Sequence, residues 1–214
     1  MRVWYVYNMR VIVVTGGLGS GKSTAAKYFG AKGAVVVDLD DVAAKVLAPG
    51  SDLLARVAAE FGGEDILLAD GSLDRPALAR AAFASPTHAK RLDALVHPVI
   101  ARDVGVAMRQ LRLMSEPPFA VVLEVPLLVE APVFGELADV VLAIVAPEPV
   151  RLARSVALGR ESDDAMRRIR AQATDAERAE LSDVVIVNDG SAESFLGRLD
   201  AFWEEYVAVG GGVR

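Results

Sequence analysis

The run Gly16-Gly17-Leu18-Gly19-Ser20-Gly21-Lys22-Ser23 combines glycines, which let backbone N–H groups close on an anion, with a lysine and a hydroxyl. It fits the pattern G-x-x-x-x-G-K-[ST], in which the loop amides cradle the phosphates of a nucleoside triphosphate. Residues 17–24 (Gly17, Leu18, Gly19, Ser20, Gly21, Lys22, Ser23 and Thr24) are therefore the expected loop for the nucleoside triphosphate. Lys22 brings a mobile point charge to the β/γ oxygens, and Ser23 or Thr24 offers a hydroxyl to Mg²⁺. Lys22 is expected to project into solvent or phosphate and to contribute little to the fold. Two carboxylate groups complete the chemistry. Asp38-Leu39-Asp40-Asp41 follows an apolar run, and Glu124 stands near the end of another, where an acid can hold Mg²⁺ through water. A carboxylate within reach of a hydroxyl can orient it and take its proton as a bond to phosphorus forms.

These groups work only if the elements bearing them share one edge. Val11–Val14 reads as a buried strand, and Ser23–Gly30 as a helix whose first N–H groups lack internal acceptors and face phosphate. Ala34–Val37 is a second strand ending at the carboxylates, Phe119–Val125 a third, Val140–Val145 a fourth and Val184–Val187 a fifth ending at Asn188-Asp189-Gly190. Alternation with helices predicts an α/β fold of the P-loop NTPase type, a mostly parallel five-stranded sheet flanked by helices. Ligands of such sheets gather at the carboxyl ends of the strands, so the loop and Asp38-Leu39-Asp40-Asp41 are expected to face one crevice. The core is expected over 9–50, 118–147 and 180–208. Residues 51–117 are mainly helical by pattern and too long for one crossover, so they read as an inserted helical substrate lobe. Residues 148–179, rich in arginine, read as a helical lid. An amphipathic helix over 192–207 should cover the sheet, leaving Gly210-Gly211-Gly212 as a tail.

With 214 residues, 53% of them apolar, the chain can bury a sizeable core. A net charge of −6 argues against a general nucleic-acid binder, so anion recognition must be local. The absence of cysteine excludes disulfides and thiolate metal sites. No apolar run is long enough to span a membrane, and a cytoplasmic protein is expected, without membrane or nucleic-acid partners. Met1-Arg2-Val3 is echoed by Met9-Arg10-Val11, so residues 1–8 are expected to be a non-native extension. A loop of this kind serves switches and motors as well as enzymes. No N-K-x-D base-reading motif is present, and a compact core with a lobe, a lid and arginines in place of an arginine finger points to a small-molecule kinase.

The ordered set Thr15–Thr24, Asp38 and Asp40, Pro49-Gly50, Phe61-Gly62, Asp70–Arg75, Leu78, Phe83, a His97-Pro98-Val99-Ile100 turn, Pro126-Leu127-Leu128, Glu130, Arg168-Ile169, Ala171-Gln172 and Asn188-Asp189-Gly190 resembles the dephospho-CoA kinase family. The resemblance runs from Met9 over nearly the whole chain. It implies transfer of the γ-phosphoryl group of ATP, with Mg²⁺, to the ribose 3′-hydroxyl of dephospho-CoA, the last step of coenzyme A synthesis. By position it assigns the catalytic acid to Asp40 and the phosphate-binding lysine to Lys22. Asp38 and Asp41 remain alternatives, Asp41 reading rather as a helix-starting residue. Asp38, Lys45, Arg75, His97 and Glu130 are the expected substrate contacts, Ser23 and Glu124 the metal ligands, and Asn188 and Gly190 the contacts to adenine. The chain departs from the family in two places. Ala44 stands where relatives carry arginine, leaving Lys45 to supply that charge, and no lid arginine falls at the usual spacing from Gln172. Arg154 is the first candidate to meet the transferring phosphoryl group and Arg160 the second. Another P-loop kinase of the nucleoside monophosphate type, or a non-enzymatic nucleotide switch, remains the alternative, and oligomeric state stays open.

Overall fold

Uninterrupted β-branched runs form strands where both faces are to be covered, and the computed structural model, which describes residues 9–82 and 84–208, follows that rule. Expectations for residues 1–8, Phe83 and the glycine tail lie outside the described residues. The chain runs through β1 (Arg10–Thr15), α1 (Lys22–Ala31), β2 (Val35–Asp38), α2 (Leu39–Val46), α3 (Asp52–Phe61), α4 (Arg75–Ala82), α5 (Pro86–Arg112) and β3 (Ala120–Glu124). It continues with β4 (Val140–Val145), α6 (Glu148–Ala157), α7 (Ser162–Ala171), α8 (Asp175–Glu180), β5 (Val184–Val187) and α9 (Ala192–Trp203), the last followed by a π-helical turn over Glu204–Ala208.

The five strands are all parallel, in the order β2-β3-β1-β4-β5. The three central strands are buried almost throughout, whereas β2 and β5 keep exposed valines at the two edges. One face presents Ile12, Val14, Val122, Leu142, Ile144 and Ile186 to α1 and α9, where Phe29 stacks on Trp203 with ring centroids 5.3 Å apart. Phe29 is fully buried, so truncating it to alanine is worth about 3–5 kcal/mol. The entry edge of the sheet is closed by aspartates. Asp139, just before β4, accepts from the Val11 N–H at 2.7 Å and returns its own N–H to the Val11 carbonyl at 2.8 Å. Asp183, just before β5, repeats the device on Val141 at 2.8 and 3.0 Å. The opposite edge, where every strand ends, is left for ligands.

Two compact units divide the chain, residues 39–109 and the remainder. The second unit is helical. Leu53, Leu54, Val57 and Phe61 of α3 and Ala77, Leu78 and Ala82 of α4 are buried, as is the stripe Val96, Ile100, Val104 and Met108 along α5. The expected lobe of 51–117 overlaps this unit without sharing its bounds. Residues 148–179, expected as a lid, carry α6, α7 and most of α8 and fall in the unit that contains the sheet.

Two local expectations are corrected. No turn separates β2 from α2, so Asp40 and Asp41 stand in the first turn of a helix, where carboxylates suit the positive end of its dipole, and only Asp38 ends the strand. His97-Pro98 is not a turn but lies inside α5. Proline there has no N–H to donate to the Ala94 carbonyl four residues back, and Ala94 is exposed, so water can reach it.

Candidate active site

Strand β1 delivers the chain to the carboxyl edge, and Gly21 turns it into α1 with a left-handed φ of 105°. Only glycine fits at that point, because a Cβ would also overlap the Asn188 amide nitrogen. No side chain caps α1. Its first N–H groups therefore have no capping side chain among the described residues, the arrangement that binds phosphate.

Glu124 reaches this turn from β3. It shares its face of the sheet with Val122 and Val14, hence with α1, and its carboxylate is the acceptor for both Lys22 and Ser23. The Ser23 hydroxyl donates to Glu124 Oε1 at 2.5 Å, and Lys22 Nζ pairs with the same oxygen. The side chains of Lys22 and Glu124 are only 13% and 8% exposed. Lys22 is thus tied to a buried carboxylate; of the two expected directions, solvent or phosphate, it does not take the first. Thr24 is exposed, and Asp38 stands beside Glu124 in register on the next strand. Glu124 and Ser23 bring hard oxygen donors together at the start of α1. Among the described residues no group of three or more His, Cys, Asp or Glu side chains could hold a metal ion unaided.

Asn188, directly after β5, closes the other flank. Its Nδ2 donates to the Ser20 carbonyl at 2.7 Å, while its own carbonyl and Oδ1 accept from Arg154 at 3.0 and 3.1 Å. Both polar atoms of this amide make a bond within the protein, so Asn188 braces the loop, and its second N–H and second lone pair remain for a ligand. Gly190 is exposed two residues on. Arg154 is anchored by Asn188, whereas Arg160 is exposed and its side chain makes no hydrogen bond or ion pair among the described residues. The arginine that meets the phosphate loop is Arg151. It is buried, and its Nε donates to the Leu18 carbonyl at 2.9 Å. Gln172, at the end of α7, accepts from the Leu18 N–H at 2.8 Å.

Glu130 is exposed, yet its charge acts on the buried Arg178. Burial first, and then the Arg151 charge, push the Arg178 guanidinium below its ordinary range, against Asp175, Glu130 and Glu177. Asp40, Lys45, Arg75 and His97 all belong to the helical unit. Asp40 and Lys45 are exposed on α2, Arg75 is exposed at the start of α4, and His97 on α5 has Nε2 3.6 Å from Asp93 Oδ1. Sequence reasoning assigned no role to Arg151 or Arg178. For Arg151 a signal existed: it stands in the first turn of the helix that follows a buried strand at the carboxyl edge. For Arg178 none did, because the capping box Thr174/Glu177 announces only a short helix.

The family model for dephospho-CoA kinase matches residues 10–194. The dephospho-CoA kinase of Frankia casuarinae is 41% identical over 200 residues, covering 94% of this chain and 85% of that protein. The crystal structure of TT1252 from Thermus thermophilus, 34% identical, superposes with a TM-score of 0.72 over 92% of this chain and 97% of that one. The dephospho-CoA kinase from Campylobacter jejuni, 22% identical, shares the fold with a TM-score of 0.67 over 94% of this chain and 98% of its own. A P-loop turn into an uncapped helix, an acid on the next strand facing its lysine, and a match spanning all five strands lead to one assignment: the chain belongs to the dephospho-CoA kinase family.

Proposed function

We infer that the chain transfers the γ-phosphoryl group of ATP to the ribose 3′-hydroxyl of dephospho-CoA, releasing CoA and ADP. The family match over residues 10–194 carries this reading. In the reaction a bond forms between the 3′-oxygen and the γ-phosphorus, the β–γ bridging bond breaks, and the hydroxyl proton must find a base. Asp40 is proposed as that base, since it holds the position of the family's catalytic acid. Lys22 turns from Glu124 to the β/γ oxygens, and the free N–H groups at the start of α1 donate to the phosphates. Ser23 and Glu124 suit Mg²⁺, which is typically bound by few protein oxygens together with waters and substrate phosphates. When bound with ATP, the ion neutralises charge on the oxygens flanking the breaking bond. Arg154 is the proposed partner of the transferring group, and Asp38, Lys45, Arg75, His97 and Glu130 are proposed contacts for the acceptor. With both substrates small water-soluble molecules, the cytoplasm is the proposed location.

The test is coupled detection of ADP with ATP, Mg²⁺ and one acceptor at a time. Turnover with dephospho-CoA and not with nucleoside monophosphates is expected, with the product carrying its new phosphate on the 3′-oxygen. Equal turnover with a nucleoside monophosphate, or slow hydrolysis indifferent to any acceptor, would overturn the assignment.

A further inference from the structure

Leu18 lies mid-loop, and both of its backbone polar groups are taken by side chains from outside the loop. Its N–H donates to Gln172 Oε1 at 2.8 Å and its carbonyl accepts from Arg151 Nε at 2.9 Å. Arg151 Nη2 reaches the same Gln172 oxygen at 3.3 Å, closing a ring of three groups around one residue. The grip is itself held in place. Ser155 Oγ donates to the Arg151 carbonyl at 2.8 Å, Arg151 Nη1 stands 3.6 Å from Asp175 Oδ1, and Arg178 donates to the carbonyl of Ala173, next to Gln172. Arg151 is 5% exposed and Arg178 1%, so neither is a surface charge with freedom to swing.

The loop glycines fit this grip. A Cβ at Gly17 would overlap Arg151 Nη2, and one at Gly19 would overlap the Arg151 carbonyl. The two glycines that flank Leu18 thus leave the space that the first turn of α6 fills. A glycine-rich loop left free would lose much conformational entropy on wrapping a phosphate, because glycine has the most backbone freedom to surrender. Fixing its centre beforehand removes part of that cost from nucleotide binding.

We propose that Arg151 and Gln172 are positioning residues for phosphoryl transfer, clamping Leu18 so that the loop amides stand ready for ATP. The proposal rests on the reading of the chain as an ATP-dependent kinase. Neither side chain contacts phosphate; both act through the Leu18 backbone. The clamp therefore governs the nucleotide and not the acceptor.

Gln172→Met and Gln172→Glu separate this role from packing. Methionine keeps the length but accepts no bond of useful strength from Leu18, whereas glutamate still accepts from Leu18 and from Arg151. Loss of one such hydrogen bond corresponds to about tenfold in affinity. Gln172→Met is expected to raise KM for ATP about tenfold with KM for dephospho-CoA unchanged, and Gln172→Glu to stay within about twofold of wild type. Arg151→Ala should act as Gln172→Met does; because Arg151 is buried, melting temperature without ligand is recorded for each variant, and the glutamine pair decides the matter if the arginine variant does not fold. Titration with a fluorescent ATP analogue gives the same comparison without turnover. A wild type that binds the analogue but does not phosphorylate dephospho-CoA would remove the substrate assignment and leave the clamp to be judged by affinity. A folded Gln172→Met with wild-type affinity, equal damage from both glutamine variants, or a matching rise in KM for dephospho-CoA would overturn the proposal.

Discussion

Replacing Lys22 by methionine should unfold the protein sooner as well as silence it. The ammonium is the charged partner of Glu124, a carboxylate with 8% of its side chain exposed, and without it the Ser23 hydroxyl is the one hydrogen-bond donor left to that charge among the described residues. Removing one member of a buried ion pair costs roughly 3–5 kcal/mol, because the survivor keeps its desolvation penalty. Both side chains retain some contact with water, which favours the lower end, about 3 kcal/mol. For a chain of this length each kcal/mol is about 2–4 °C, so the nucleotide-free melting temperature should fall by roughly 6–12 °C. Adding Glu124→Gln removes the stranded charge and should recover most of that loss. It should recover no activity, because the charge for the β/γ oxygens is still missing. Scanning calorimetry without ligand and ADP release with dephospho-CoA read the two effects separately. A Lys22→Met protein melting within about 2 °C of wild type, well inside the range a lost buried pair allows, would refute the reasoning, as would a double variant no more stable than the single one.

Three further outcomes are expected. Asp40→Asn should lower kcat by about 10²–10⁴, the usual cost of a missing general base, with KM for ATP little changed. Asp41→Asn should stay close to wild type, because successive residues of a helix point in different directions and both cannot face one hydroxyl; the opposite ranking would move the base to Asp41. Gly17→Ala should raise KM for ATP by displacing the Arg151 guanidinium, and should add little in an Arg151→Ala background, since the overlap is then gone; full additivity would show that the glycine serves something else. Asp200 on α9 accepts from Lys32 Nζ at 2.6 Å and from the Tyr28 hydroxyl at 2.7 Å, and these bonds, Lys32 first, hold its carboxyl below 3.8 while raising Lys32 and Tyr28 above 10.5 and 10.0. Its contribution is complete above the ordinary carboxylate range and lost as pH falls through the depressed folded value, whereas those of Lys32 and Tyr28 are lost as pH rises through their raised values. Melting curves of wild type and Asp200→Asn should therefore differ near neutrality and converge at both extremes; a constant gap in acid would remove the assignment.

What the sequence discloses and what it conceals follow from how locally each feature is determined. Internal strands are legible because burial on both faces demands an unbroken apolar run, and Val11–Val14 and Val140–Val145 meet that demand with nothing else competing. The phosphate loop is legible because its residues act within one turn of chain. Where two elements adjoin without a breaker, the boundary disappears: Asp38 and Leu39 belong to a strand and a helix with no glycine or proline between them, so Asp40 reads as a strand end. Where a breaker is present but outvoted, the error reverses. Pro98 suggests a turn, yet Val96, Ile100, Val104 and Met108 recur every four residues, and one missing hydrogen bond does not outweigh that buried stripe.

The loop's supports lie beyond any local pattern. Leu18 meets Gln172 across 154 positions and Arg151 across 133, and Ser20 meets Asn188 across 168. Only the order of the strands brings them together, since β4 and β5 lie to one side of β1 and release their chains at its carboxyl edge. Arginine abounds in the α6–α8 segment, and composition alone cannot say which one is turned inward. The glycines come nearest to saying it. Gly17 and Gly19 read as room for phosphate, but in the folded chain they are also room for Arg151. A loop pattern thus carries two constraints at once, one from the ligand it wraps and one from the helix that holds it.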